Sequence, residues 1–330
     1  MSVVSPELEL SVKLHDLHQL LYMRGGIRPV NAAVDELAKL LLMRLAGHRL
    51  PKLVIAGHKL EDLTDADAAA SGGGIEPWKE AFSAVIALDD LRGRLPDGST
   101  QPVWPLDEPF RLSRTDVLAE ALHVLSHVQF GATPSSSLDP LGVAFDTFLH
   151  GKYDHAGGLG TYLTPATVAR TMAEVGFDLV DPLSDGLVGD PCAGTGRFLA
   201  AIVAKAAERI SGEKLTNWIS ENVVGCDQSA NSVAMARVNM LSYGAHHPYV
   251  FTVADSITDK HLDEWRGQFR LILTNPPFGD GKYDDTDGIR RTDALLRASR
   301  GRPKIDPAIA FVARCIDLLA EGGVAGIVLP

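Results

Sequence analysis

The chain has 330 residues, with 31 Lys and Arg against 42 Asp and Glu for a formal net charge of −11. That length exceeds one minimal core and points to two domains at about 100–200 residues each, and 45% hydrophobic with 22% charged residues excludes a disordered chain. The acidic balance argues against a protein that grips a polyanion unaided, so DNA or RNA binding would need a local basic groove or a basic partner subunit.

Ser5-Pro6-Glu7 combines an N-cap, a proline in the first turn and an acid, and Leu10, Leu14, Leu17 and Leu21 follow at helical spacing until Gly25-Gly26. A second helix begins at the cap Asn31 and carries Val34, Leu37, Ala38, Leu41, Leu42 and Leu45 on a wide apolar stripe before Gly47. Residues 62–75, rich in Ala, Ser and Gly, read as a surface loop. Pro77, Trp78, Phe82, Val85 and Ile86 open another helical pattern, and the Pro-rich piece 95–109 reads as irregular. A helix over 115–130 turns Val117, Leu118, Ala121, Leu122, Leu125 and Val128 inward, and Thr133-Pro134-Ser135-Ser136-Ser137 marks a boundary. Residues 1–137 are therefore expected to form an all-helical domain. It holds no constellation of catalytic residue types, which suits interaction, substrate clamping or plain support.

In the second domain, 138–330, a short apolar helix over 141–149 leads to Gly157-Gly158-Leu159-Gly160-Thr161-Tyr162-Leu163-Thr164-Pro165. Thr164 is placed to cap a helix starting at Pro165 whose inward side carries Val168, Met172 and Val175. Such a loop offers backbone N–H groups that suit a carboxylate, although an ordinary glycine-rich connection has the same composition. A strand over 187–189 then runs into Asp190-Pro191-Cys192-Ala193-Gly194-Thr195-Gly196, a tight turn into a helix. Gly194 and Gly196 remove β-carbons where a ligand must approach the backbone. The full dinucleotide fingerprint and the P-loop Lys-Ser or Lys-Thr are both missing, which disfavours a phosphate cradle and leaves a nucleoside site.

Val223-Val224-Gly225-Cys226-Asp227 is a strand ending in a carboxylate, the position from which nucleoside-binding α/β folds accept ribose hydroxyls. A third strand over 249–253 is followed by Asp255, close enough to reach the adenine amine of the same nucleoside. One such acid is commonly a turn residue. Asp190, Asp227 and Asp255 at the ends of successive strands are harder to assign that way.

Leu271-Ile272-Leu273-Thr274 is a buried strand that stops at Asn275-Pro276-Pro277-Phe278. The prolines restrict Asn275 and the Pro276 carbonyl, so two acceptors sit beside one aromatic ring, a set that fits the amino group of a nucleobase with Phe278 stacking on the base. The alternative is a proline-stiffened strand end with Phe278 in the core. Residues 279–303 read as a polar loop first and a DNA contact second, with Arg290, Arg291, Arg297, Arg300 and Arg302 diluted by aspartates. A helix over 307–319, Gly322-Gly323 and a strand over 324–329 complete a doubly wound α/β pattern.

Cys192, Cys226 and Cys315 form no paired spacing, and the 11 histidines show no metal-binding pattern, so neither a disulfide framework nor a metal site is expected. No apolar run approaches the roughly 20 residues that span a bilayer, and Glu7, Glu9, Lys13 and Asp16 stand where a signal peptide needs an apolar block, so the chain reads as cytoplasmic, with no membrane partner.

The ordered set Gly160-Thr161-Tyr162-Leu163-Thr164-Pro165, Asp190-Pro191-Cys192-Ala193-Gly194-Thr195-Gly196, Asp227, Asp255 and Asn275-Pro276-Pro277-Phe278 resembles the motif order of N6-adenine DNA methyltransferases. It is similar in particular to the methylation subunits of type I restriction-modification systems, closely from about residue 141 onward and in kind over the helical part. The resemblance implies a Rossmann-like S-adenosylmethionine-dependent methyltransferase sheet. It places Tyr162, Leu163, Thr164, Pro165, Gly194, Thr195 and Gly196 around the methionine part, with Asp190 in the same turn, Asp227 on the ribose and Asp255 near the adenine. It implies catalysis of adenine N6 methylation in DNA by Asn275, Pro276, Pro277 and Phe278, with a separate DNA-specificity subunit and a restriction subunit as partners. Leu163 stands where a second aromatic is usual and Arg197 where a glycine is common. The fifth strand is two short of that family's sheet, so the chain is expected either to be a fragment or to take the missing strands and a target-recognition region from another chain. A non-catalytic cofactor-binding scaffold and a guanine-N2 RNA methyltransferase are the competing expectations.

Overall fold

The structure, a computed structural model, describes residues 12–13, 16–17, 20–28, 30–68, 75–128, 130–131, 164–277, 283–284 and 304–329. Helix α1 (Val30–Arg49) is the axis of the first region, with α2 (Ile75–Val85) and α3 (Thr115–Leu125) beside it. Asn31, the expected cap, falls within the span of α1, and the helix continues through Gly47, where a β-carbon would collide with the Thr64 hydroxyl. That glycine is a packing contact, not a stop. The stripe residues Val34, Leu37, Ala38, Leu41, Leu42 and Leu45 are all buried. Trp78, Phe82, Trp104 and Phe110 form a ring cluster with centroids 5.2–6.2 Å apart. The region is not wholly helical. Val54–Ile55 pairs with His58–Lys59 and Gly93–Arg94 with Thr100–Gln101 as short antiparallel strands. Most of the helix expected from Ser5, and the one over 141–149, lie outside the described residues.

The inner face of α1 also buries charge. Lys39 Nζ lies 2.8 Å from Asp35 and 2.6 Å from Glu108 and donates to the Pro109 carbonyl at 2.9 Å. Glu36 accepts the Arg111 and Leu112 N–H groups at 2.7 and 2.8 Å, and Trp104 Nε1 donates to Asp35 at 3.0 Å. Together these bonds fasten the segment 104–112 to α1. Burial pushes the Glu36 carboxyl up from its ordinary value, opposed by the Leu112 N–H and Lys39.

After α4 (Ala166–Leu179), strands β1 (Leu187–Asp190), β2 (Val223–Asp227), β3 (Tyr249–Thr252), β4 (Phe269–Thr274) and β5 (Leu319–Ile327) form one parallel sheet in the order β5-β4-β1-β2-β3. Helices α5 (Arg197–Ala207), α6 (Gly212–Asn222), α7 (Ala230–Ser242) and α8 (Pro307–Leu318) connect them. This is the expected doubly wound, Rossmann-like arrangement, and the chain direction across the sheet reverses between β1 and β4, where open α/β sheets bind ligands. Glycines let the layers close. A β-carbon on Gly189 would collide with the Val224 carbonyl, and one on Gly225 would lie 2.7 Å from Leu199 of α5.

The inward face of α4 differs from expectation. Ala169, Ala173, Gly176 and Phe177 are buried, whereas Val168 is 38% and Val175 51% exposed. A β-carbon on Gly176 would lie 2.7 Å from Leu271 Cδ1, so the face that meets the sheet is selected by small size.

Helix α7 joins the two regions. Ala234, Met235, Val238 and Leu241 belong to the helical core, while Val233, Ala236 and Met240 belong to the sheet's core. Three arginines reinforce the seam. Arg49 donates to the Leu241 and Ala245 carbonyls at 2.6 and 3.1 Å, and Arg237 to the Val250 and Pro102 carbonyls at 2.6 and 3.0 Å. Arg94 forks onto Glu221 at 2.9 and 3.0 Å and lies 4.6 Å over the Tyr249 ring. Burial lowers the Arg237 pKa to about 10.

Candidate active site

The turn after β1 is held from several sides. Cys192 N–H donates to Asp190 Oδ1 at 2.9 Å, Ala193 N–H to the Cys226 carbonyl at 2.8 Å, and Gly194 N–H to Asp227 Oδ2 at 2.9 Å. Gly194 (φ +52°) and Gly196 (φ +88°) both adopt the left-handed backbone that favours glycine. A β-carbon on Gly194 would meet nothing within 4 Å, so open space faces the turn there, whereas one on Gly196 would sit 3.2 Å from Ala236 of α7. Asn239, also on α7, donates to the Thr195 carbonyl at 3.1 Å. That residue escaped the sequence reading; it is buried with Arg237 on the same helix, and a buried polar side chain needs a partner.

Burial pushes the Asp190 carboxyl up to about 7, opposed by the Thr274 hydroxyl and the Cys192 N–H and assisted by the charge of Asp227. A cationic ligand would return it to the ionised form. Asp227 accepts from Gly194 N–H and Ser229 N–H, both at 2.9 Å, which leaves further lone pairs on its oxygens for hydroxyl donors. Asp255 closes a local turn, accepting from Ile257 N–H and Thr258 Oγ1 at 3.0 Å each. The Val253 N–H donates to the Asp227 carbonyl at 3.0 Å and sets the ends of β2 and β3 side by side. Thus Asp190 and Asp227 meet at one turn, and Asp255 follows on the neighbouring strand. Burial pushes the thiols of Cys192, Cys226 and Cys315 up, which makes them poor nucleophiles.

Asn275 directly follows β4, and its Nδ2 donates to Thr164 Oγ1 at 3.1 Å. The expectation that Thr164 caps α4 is not met. The helix starts at Ala166, Pro165 occupies the cap position, and the buried Thr164 hydroxyl serves Asn275 instead. Pro276 is buried and Pro277 exposed; Phe278, Tyr162 and Leu163 lie outside the described residues. A cleft lies between α4 and α5, lined by Ala169, Arg170, Arg197 and Tyr243 and, among the described residues, by none of the nominated site residues. Among the described residues, no group of three or more His, Cys, Asp or Glu could hold a metal ion, and no helix is long and apolar enough to cross a membrane.

A carboxylate pair at a glycine turn, next to a strand that ends in a held amide and two prolines, can bind a nucleoside and offer acceptors to an amine beside it. Comparison with known proteins agrees with that chemistry. The N-6 DNA Methylase family matches residues 136–330. The type II methyltransferase M.MamI of Microbacterium ammoniaphilum is 46% identical over 322 residues, 96% of this chain and 88% of that protein. The type I restriction enzyme EcoEI methylase subunit of Escherichia coli is 26% identical over 215 residues, 65% of this chain and 41% of that protein. The fold is shared with the type I restriction-modification methyltransferase subunit of Streptococcus thermophilus, at a TM-score of 0.61 and 17% identity over 98% of this chain and 75% of that one. The chain belongs to the N-6 DNA methylase family.

Proposed function

We propose that this chain transfers a methyl group from S-adenosylmethionine to the N6 amine of a flipped adenine in DNA, as the modification component of a restriction-modification or similar defence system. The observation that carries the reading is the placement of Asn275, Pro276 and Pro277 at the end of β4, beside the β1 turn that Asp227 holds. The cofactor fits the residues present: open space faces Gly194, a carboxylate ends β2, and the buried Asp190 gains most from a cationic neighbour.

S-adenosylmethionine, when bound, supplies a methyl group on a positively charged sulfur. Asp227 would accept from its ribose hydroxyls and Asp255 would lie near its adenine, with Tyr162, Leu163, Pro165, Gly194, Thr195 and Gly196 around the methionine part and Asp190 in the same turn, whereas the Thr164 hydroxyl faces Asn275. The adenine amine is a weak nucleophile because its lone pair is delocalised into the ring. Asn275 Oδ1 and the Pro276 carbonyl accept its hydrogens, favour the pyramidal form and stabilise the positive charge that develops on nitrogen. The prolines hold both acceptors in place. Phe278 stacks on the base, which must leave the duplex to arrive there.

The net charge of −11 supports a basic partner for DNA, and the type I relatives support a separate specificity subunit, with a restriction subunit in the same assembly. The higher identity to a protein named as a type II methyltransferase favours a second reading, in which DNA is engaged without that assembly. Methyl incorporation into DNA with and without a candidate partner separates the two. Mass analysis of the nucleosides should show N6-methyladenine, abolished by Asn275→Ala while S-adenosylmethionine affinity stays within about twofold. Unchanged incorporation in that variant sinks the proposal; N2-methylguanine in RNA, or binding without turnover, would move the assignment to the competing expectations.

A further inference from the structure

We infer that Thr164 is a positioning residue that anchors the side-chain amide of Asn275 for the target amine. This rests on the methyltransferase reading of the site. An asparagine amide carries an acceptor and a donor on a nearly symmetric plane, and a half-turn about its last bond exchanges them. Only the oxygen can accept hydrogens from an incoming amine. The amide nitrogen in its place would set donor against donor. In this structure Nδ2 of Asn275 donates to Oγ1 of Thr164 at 3.1 Å, and Thr164 is 8% exposed. The hydroxyl can accept from Nδ2, as here, or donate to Oδ1, so it fixes the plane of the amide, and in the arrangement observed Oδ1 lies on the other side of that plane. Pro165 and Pro276 directly follow the two partners and restrict the backbone of each, so the pair is held from both segments.

The assignment differs from that of a cofactor ligand in what a substitution changes. Thr164→Val keeps the shape and removes the oxygen; Thr164→Ser keeps the oxygen, and Thr164→Ala is a smaller replacement should valine disturb folding. In protein labelled with ¹⁵N-asparagine, the Asn275 side-chain resonances are identified by their loss in Asn275→Ala. They should shift in Thr164→Val and Thr164→Ala and return in Thr164→Ser. In single-turnover transfer to adenine-containing DNA, Thr164→Val should fall at least about tenfold with S-adenosylmethionine affinity within about twofold, and Thr164→Ser should recover most of the rate. Unshifted Asn275 resonances would overturn the inference whether or not the wild type transfers methyl. A weakened cofactor affinity with an unchanged transfer rate would also overturn it and leave Thr164 a cofactor ligand. A wild type that transfers no methyl while its Asn275 resonances respond to Thr164 counts against the proposed function alone.

Discussion

The main-chain N–H of Gly194 donates to Oδ2 of Asp227 at 2.9 Å, so the carboxylate that ends β2 also fastens the glycine turn that ends β1. Ser229 N–H holds its other oxygen at 2.9 Å. One side chain therefore shapes the turn and offers acceptors to a ligand.

Asp227→Ala should lose both roles. Saturable S-adenosylmethionine binding, read by calorimetric titration, should disappear, and urea unfolding should show a loss of about 1–3 kcal/mol from two main-chain donors left without their charged partner. Asp227→Asn should fall between the two, because its amide cannot accept from both N–H groups. Full binding by Asp227→Ala would remove this residue from the site.

Asp190 makes stability depend on pH in a direction opposite to that of a salt-bridged acid. Its folded pKa of about 7 lies above the ordinary 3.8. Between those values the unfolded chain ionises first, so the folded state binds more protons and stability falls as pH rises from about 4 to about 7, then levels. The full effect is about 4 kcal/mol as an upper bound. Asp190→Asn should flatten this part of the profile and be the more stable form at pH 8, yet bind S-adenosylmethionine more weakly. Parallel urea curves at pH 5 and pH 8 check the first point and titration the second.

At the seam between the regions, a buried and a partly exposed arginine should behave differently. Arg237→Met leaves the Val250 and Pro102 carbonyls without their donor and should cost about 2–4 kcal/mol. Arg94→Ala, which breaks a pair with the half-exposed Glu221, should cost under about 1 kcal/mol. Unfolding should stay a single transition in both, because α7 belongs to both cores. Two separated transitions in the wild type would show that the regions unfold independently.

The two turn glycines should separate stability from ligand binding. Gly196→Ala meets both a φ of +88° and Ala236, and should lose about 1–2 kcal/mol of stability. In Gly194→Ala the added carbon points into open space, so the stability loss should be smaller and the drop in cofactor affinity larger. Melting temperatures and titrations on both variants distinguish them.

Much of this arrangement is legible in the sequence. Strands over 187–190, 223–227, 249–252 and 269–274 each end an apolar run at Asp190, Asp227, a residue three short of Asp255, and Asn275. In such motifs the residues that end a strand are contiguous with it, so their placement follows from the strand itself. The faces of α2 and α3 were readable for a similar reason, since their large apolar residues recur at helical spacing and are buried.

Periodicity was a poor guide where size or charge decided burial. Val168 and Val175 outrank Ala169 and Gly176 in hydrophobicity, yet the sheet accepts the smaller pair because α4 must approach Leu271 closely. Asp35, Glu36 and Lys39 carry the signature of a solvated helix face and are buried, because Glu108, Pro109 and the main chain at 111–112 come round to satisfy them.

By itself the sequence determined the alternation of strands and helices, the glycine turn and the acids and amide at the strand ends, because these depend on neighbours along the chain. The pairing of Thr164 with Asn275, of Asn239 with the Thr195 carbonyl, and of α1 with α7 were decided only by the tertiary structure. A hydrogen-bond donor carries no mark of its acceptor until folding brings the two together and removes the water that would otherwise satisfy both.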